Sequence, residues 1–349
     1  MPQQLPGHKY ILGLAKQTAE GSAASTAEYK VPVYSADLQN QQSRTTLEIA
    51  DGTSFSPGQY IDGSMWQGSV EWGAFPSSLP RIMAAHLGAS CDTITGAADP
   101  WTHTLVRTDT PLWHTVWMGR PTSGGGVEYD QIVDALAKSF IVNYQNGQLV
   151  HVTTEFMAKN SNGVATAPTF TTTETMTAAG YGYTWLPAAA SQLKLDLAVS
   201  PAVTTITNLQ SFTLTCDYPN MAMEATNAVT PAFFNPGRWT LGFTATFIVQ
   251  DWQAYNLTLY GSVTPAANTP LSAVVTSGSA DFTLDVGPTA NANRTFQITL
   301  PNLQFSLQPP TPAVDGSGIT ATLTGVLQAP AAGAPATFKI KNANSVAVG

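Results

Sequence analysis

Apolar and polar residues take turns along much of this chain, and Gly, Pro or Asn closes each alternating run. The clearest cases are Gln148–Ala158, Gln210–Cys216, Arg238–Val249, Ala280–Val286, Thr295–Leu307 and Gly318–Ala329. A period of two puts every second side chain on the same face of an extended backbone, so these runs read as strands with one buried face. Thr and Val crowd them, as a pleated, half-buried surface prefers. Val133–Lys138 reads as strand as well. Two segments break the pattern. Ser77–Leu87 starts at Ser77-Ser78, carries Leu79, Ile82, Met83 and Leu87 at helical spacing, and stops at Gly88. Trp252–Tyr260 is the weaker helical candidate. The expectation is an all-β chain with a minor helical component.

A chain of 349 residues can hold one large β domain or two smaller ones. Charged residues make up only 10% of it, against about 25% in ordinary soluble domains. Thr, Ser, Asn, Gln, Gly and Ala take their place. Such a surface suits a protein covered by copies of itself, because a hydroxyl or amide is cheaper to bury than an unpaired charge. A secreted or thermostable β-sandwich with a bland surface is the competing reading. The net charge is −8, with 14 basic and 22 acidic residues. There is no Lys/Arg run to neutralise phosphates, which argues against stable nucleic-acid binding. Cys91 and Cys216 are too few for a disulfide framework and read as buried thiols. The first residues lack the charged and apolar regions of a secretory signal, and no apolar stretch approaches the length of a membrane span. The expectation is synthesis in a cytoplasm and no membrane partner.

An internal repeat is legible. Pro57–Gly68 and Pro231–Gly242 share a proline, an aromatic and two glycines at an offset of 174, which places Gly63 and Gly237 at matching strand starts. Val150, Val152, Phe156 and Ala158 align with Ala321, Leu323, Leu327 and Ala329 at an offset of 171. The expected organisation is an N-terminal arm (1–28), a first β domain (29–165), a connecting segment (166–189), a second β domain (190–330) and a C-terminal tail (331–349).

Catalytic chemistry finds little support. His8, His86, His103, His114 and His151 have no metal-ligand spacing. No Gly-x-Ser-x-Gly elbow occurs, and Gly124-Gly125-Gly126 lacks the Lys-Ser/Thr of a phosphate loop. Glu128, Asp130 and Asp134 could pair as hydrolase carboxylates but read as solvated acids. Eight tryptophans keep a carbohydrate-binding adhesin in view, although most sit in alternating strands, where core or interface placement is the default. No cofactor is expected, nor any enzymatic activity.

Several segments resemble the tail tube proteins of long, non-contractile-tailed bacteriophages. Tyr10–Gly21 is similar to the opening Gly-Ile-Ala-x-Glu-Thr-x-x-Gly segment of that family, with Gln17 where an acid is common. Pro32–Leu38, the Gly63–Trp72 strand leading to the Leu79–Leu87 helix, and Phe296–Leu307 with Ile319–Ala329 add to the likeness. The resemblance implies two tandem β-sandwich or barrel units, each with a flanking helix. It implies stacked rings that form a hollow tube for DNA delivery, with two-copy chains closing as trimeric, pseudo-hexameric rings rather than hexamers. Tail tip, tape-measure and terminator proteins would be the other partners, and the virion tail the location. Other virion surface proteins remain the alternative. Candidate self-assembly residues are Tyr10, Leu12, Leu47, Ile49, Phe55, Tyr60, Met221, Met223, Phe233 and Phe234, from the arm and the long loops. Glu128, Asp130, Asp281 and Asp285 are candidates for an acidic lumen past which DNA slides without sticking.

Overall fold

The computed structural model describes residues 11–31, 33–46, 58–122, 125–145, 148–165, 167–173, 192–197, 200–206, 208–224, 228–272, 277–285, 295–311, 318–329 and 333–348. The described residues are mostly strand, with two helices, so backbone hydrogen bonding is carried almost wholly by ladders. The first part of the chain contains β1 (Ile11–Lys16), β2 (Ala27–Val31), β3 (Val33–Ala36), β4 (Gln39–Thr46), β5 (Gln59–Gly73), α1 (Leu79–Leu87), β6 (Asp92–Thr95), β7 (Trp101–Leu105), β8 (His114–Pro121), β9 (Val127–Gln145), β10 (His151–Ala165) and β11 (Phe170–Thr173). The second part contains β12 (Gln192–Leu197), β13 (Ser200–Ile206), β14 (Leu209–Asp217), β15 (Ala222–Glu224), β16 (Phe233–Asn235), β17 (Thr240–Ile248), α2 (Gln253–Tyr260), β18 (Ser277–Asp285), β19 (Thr295–Thr311), β20 (Thr320–Leu327) and β21 (Thr337–Asn342).

Neighbouring strands in the first part run β2, β1, β8, β9, β10, β5, β4. Those in the second part run β13, β12, β18, β19, β20, β17, β14. All of these pairings are antiparallel; β11 pairs parallel with β2. Two ladders join the parts. β14 lies along the C-terminal stretch of β9, with Asp217 opposite Ser139 and Ser211 opposite Gln145. β21 lies between β19 and β7, and β6 extends that edge. The expected separate sandwiches are therefore one large sheet, because the edge that β14 would otherwise expose is paired to β9. β15 and β16 form a small hairpin of their own.

The core runs across both parts. Phe212 stacks on Phe282 at 3.8 Å between centroids and on Phe243 at 5.6 Å, and Tyr144 meets Phe282 edge-on at 5.9 Å. Each such ring contributes roughly 2–3 kcal/mol through burial.

The helices differ in depth. α1 has proline in its first turn, where the missing N–H costs nothing, and buries all of its residues except Arg81 against β9 and β7. Gly88 ends it, at φ 103°, where a Cβ would stand 2.5 Å from the Thr110 carbonyl. α2 packs against β19 with only Ala254 and Leu257 buried, and a left-handed Gly261 closes it.

Three expectations meet a different structure. The expected arm, residues 1–28, carries β1 and the start of β2, and Leu12 is fully buried in the core of its own chain. The expected C-terminal tail carries β21, with Phe338 and Ile340 buried. Gly63 lies inside β5, whereas Gly237 lies in the turn before β17 at φ 65°, so the two do not mark matching strand starts.

Candidate self-association surface

The seam between the two parts is the most developed interface in the molecule. The β9–β14 ladder forms its floor. Over that ladder, Met221, Met223 and Tyr218 from the second part pack with Trp113, Leu136 and Met157 from the first. Phe234 of β16 meets the Trp113 ring edge-on at 5.6 Å. Polar contacts fix the register. Trp239 Nε1 donates to His86 Nε2 at 3.0 Å, Arg107 Nε donates to the Tyr218 hydroxyl at 3.0 Å, and the Ser64 amide donates to the Val229 carbonyl at 2.8 Å. Lys159 pairs with Glu20 and donates to the Ala232 carbonyl at 3.1 Å. The β15–β16 hairpin is thereby laid over the first part of the chain.

The titratable groups serve this packing. Burial pushes the His86 and His114 pKa values down to about 4, so both rings are neutral near pH 7. His86 Nδ1 lies 3.0 Å from the Ala137 carbonyl, which favours a proton there and leaves Nε2 to accept from Trp239. At His103, burial disfavours the charged ring, but the hydrogen bond and charge of Asp92 at 2.7 Å outweigh it, and the pKa is raised. His151 lies 2.7 Å from Glu71 and stacks on Tyr34 at 4.5 Å. His8 lies outside the described residues. Burial pushes the Cys91 thiol up to about 12 and the Cys216 thiol up as well, so neither is a ready nucleophile. Asp130 pairs with Arg120 at 2.7 Å, and Asp134 accepts from the Gly21 amide at 2.7 Å. Among the described residues, no group of three His, Cys, Asp or Glu could hold a metal ion, and no helix is long and apolar enough to cross a membrane.

The candidate assembly residues scatter. Tyr10, Leu47, Ile49 and Phe55 lie outside the described residues. Leu12 is in the core. Met221, Met223 and Phe234 are brought together, but at the seam inside the chain. Tyr60 and Phe233 are exposed, 51% and 61%, on β5 and β16. Of the lumen candidates, Glu128 is exposed and Asp130 is buried against Arg120. Asp281 sits half-buried in β18, with Oδ1 lacking a hydrogen-bond partner. Asp285 ends β18 opposite Thr295, and its side chain is outside the description.

Sequence reading missed three features of the same surface. β4 is an edge strand whose only ladder, among the described residues, is with β5; Gln39–Thr46 is exposed throughout and carries no alternation to find. Exposed Tyr34 and Ile61 lie beside it. On β19, the stretch after Gln304 pairs with β20 on one side and, among the described residues, with nothing on the side that β18 occupies earlier. Compared with protein-family models and with curated proteins, the chain matches none.

Proposed function

We propose that this chain is a structural subunit that assembles with copies of itself into stacked rings, forming the tube of a long, non-contractile phage tail through which DNA leaves the capsid. The observation that carries the proposal is a pairing order that occurs twice, with an edge of the second part already seated on the first. β2-β1-β8-β9-β10-β5-β4 and β13-β12-β18-β19-β20-β17-β14 follow the same neighbour sequence. In each, a helix follows the same strand and packs on the same neighbour, α1 on β9 and α2 on β19.

Facing residues agree as well. Trp72 opposes Val152 as Ala245 opposes Leu323, and Val116 opposes Ile132 as Phe282 opposes Ile298. All eight are buried. This correspondence runs at an offset of 173 through β5 and β17, which aligns Trp66 with Trp239. The glycine match at 174 is one residue out of register, and such a slip exchanges the two faces of a strand. The offset of 171 through β10 and β20 holds.

On this reading the chain is two tandem units of one β fold, and three chains make a pseudo-sixfold ring. Rings close by symmetry and stacking stays open-ended, which is how a tube grows. The chain's acidic excess suits a lumen that does not hold DNA, since cations on the wall would bind phosphate by counterion release. Tail tip, tape-measure and terminator proteins would start, measure and stop the polymer. Carbohydrate binding draws no support from the described tryptophans, of which Trp252 alone is exposed. Negative-stain microscopy of concentrated protein, with rotational averaging, tests the proposal. Rings or tubes with threefold or pseudo-sixfold symmetry are expected; a monomer at every concentration would overturn it.

A further inference from the structure

The seam within the chain is a template for the contact between chains. We propose that the β3–β4 edge of one copy docks on the open edge of β19 in a second copy, repeating between chains the β14–β9 contact made inside each chain. The inference rests on the reading of the chain as two self-assembling units of one fold.

The donor edge follows from β5 and β17. Ala36 opposes Val70 as Leu214 opposes Phe243, and Gln39 opposes Gln67 as Asp217 opposes Thr240. The β3–β4 edge thus stands where β14 stands in the second unit, but its outer side has no ladder partner among the described residues. The receiving edge follows from β10 and β20. Phe140 opposes Thr154 as Phe305 opposes Gly325, and Val142 opposes Val152 as Leu307 opposes Leu323. In β9 this stretch receives β14; in β19, among the described residues, no strand lies on that side. Since Leu214 opposes Val142 and Thr213 opposes Asn143 inside the chain, Ala36 faces Leu307 and Ser35 faces Gln308 between chains. Pro309-Pro310 ends the new ladder there, because proline has no N–H to donate.

The hairpin above the ladder obeys the same correspondence and explains its chemistry. Ile61 opposes Arg44 at the tip of β4–β5 as Phe234 opposes Met223 in β15–β16. Inside the chain, Met223 and Phe234 rest on Trp113, Leu136 and Met157. The matching positions in the second unit are Ser279, Asn302 and Gln328, with the Gln328 amide bonded to the Asn302 carbonyl at 2.8 Å. The receiving side changes from apolar to polar, and the hairpin tip exchanges Met223 for Arg44 while keeping an apolar residue, Ile61, in the place of Phe234. A permanent seam within one chain can be oily, whereas a surface that waits in water for a partner must stay soluble.

The test uses the full chain carrying Ser35→Cys and Gln308→Cys. Residues directly opposite in an antiparallel ladder are close enough for a disulfide. Cys91 and Cys216 are 3% and 0% exposed and stay out of the reaction. Oxidation at assembling concentration should give covalent multimers at least tenfold above either single-cysteine chain, while microscopy of the same sample shows rings or tubes. Rings without cross-links above the controls would overturn this contact and leave self-assembly standing. A monomer at every concentration would overturn both. A charge exchange checks the same pair without thiols. Ser35→Asp with Gln308→Asp should abolish rings, and Ser35→Asp with Gln308→Lys should restore them; equal assembly by both chains would overturn the proposal.

Discussion

On the proposed reading of the chain as two units of one fold, the two units place the corresponding hairpin in opposite circumstances. In the second unit it is tipped with Met223 and Phe234 and buried on the first unit. In the first unit it is β4–β5, with Arg44, Tyr60 and Ile61 exposed. The helices differ in the same sense. α1 is walled in by β9, β7, Tyr218 and Trp239, while α2 leaves most of its surface half-covered. Among the described residues, β6 and β7 have no counterpart between α2 and β18: the chain from Ser262 to Ser272 forms no strand. A covalent neighbour lets one part cover its hairpin; the other leaves the matching hairpin exposed, with Arg44 beside Tyr60 and Ile61. Position in the chain, more than the fold of the unit, decides which surface is oily.

The sharpest way to break this comparison is to cut into what both units share. Phe212 touches Phe243 and Phe282 and lies against the first unit through β14. Phe212→Ala should cost about 3–5 kcal/mol and lower a single denaturation transition. Two separate transitions, with only one displaced, would mean that the units fold independently despite their joint core. Removing residues 1–25 tests the first unit alone. It deletes β1 from between β2 and β8, so loss of the folded spectrum in circular dichroism is expected, whereas a free arm would leave it intact.

Acid should separate the units next. All five histidines precede the second unit, and the positions matching His86 and His114 are Leu259 and Ala280. The folded pKa values of His86 and His114 lie at about 4, below the unfolded value of about 6.5. Their stabilising contribution is therefore full above pH 6.5 and falls as pH drops toward 4, by roughly 3 kcal/mol for each ring. His103 runs the other way: its pKa is raised, so its contribution is full below 6.5 and fades as pH rises through the folded value. Hydrogen exchange at pH 4.5 against pH 7 should rise in α1 and β8 before α2 and β18. Uniform exchange across both units would refute the assignment. Trp239→Phe should act at the same place on a smaller scale. It leaves buried His86 Nε2 without its donor, at a cost of about 1–2 kcal/mol in thermal melts, and makes the loss at low pH shallower.

What the sequence could disclose depended on whether a strand has one buried face. β17 and β20 alternate and were legible to within two residues, as was α1 through spacing and a closing glycine; α2 was legible only as the weaker helical candidate. β1 was not, because Leu12 to Ala15 are buried on both faces and read as a short apolar run near a terminus. β4 was not, because no face of it is buried in this chain. β21 does alternate, at Phe338 and Ile340, but follows an Ala/Pro-rich stretch that suggested a tail. The proposed repeat was read through its glycines, one residue out of step with the strand pairing, since a glycine match carries no information about which face is inside. The seam could not be read at all, because Met221 and Trp113 become neighbours only through the β9–β14 ladder.

The finest comparison is between the glycines that end the two helices. Gly88 and Gly261 both hold positive φ, 103° and 70°, so alanine strains the backbone at either. Their surroundings differ as the helices do. A Cβ at Gly88 would stand 2.5 Å from the Thr110 carbonyl and 2.6 Å from the Thr108 hydroxyl, within a loop that the α1 packing holds in place. At Gly261 nothing lies within 4 Å. Gly88→Ala should therefore cost roughly 2–4 kcal/mol, strain plus displaced backbone, while Gly261→Ala should cost only about 1 kcal/mol, the conformational strain alone. Thermal melts of the dilute, unassembled protein measure both. Assembly adds a second reading, because α2 is the helix next to the proposed docking edge. If a partner covers the end of α2 as Tyr218 and Trp239 cover α1, Gly261→Ala should become more costly in rings than in the free chain. A cost that stays at about 1 kcal/mol in both states would show that the helix end remains open to water, and that the units stay unlike even when assembled.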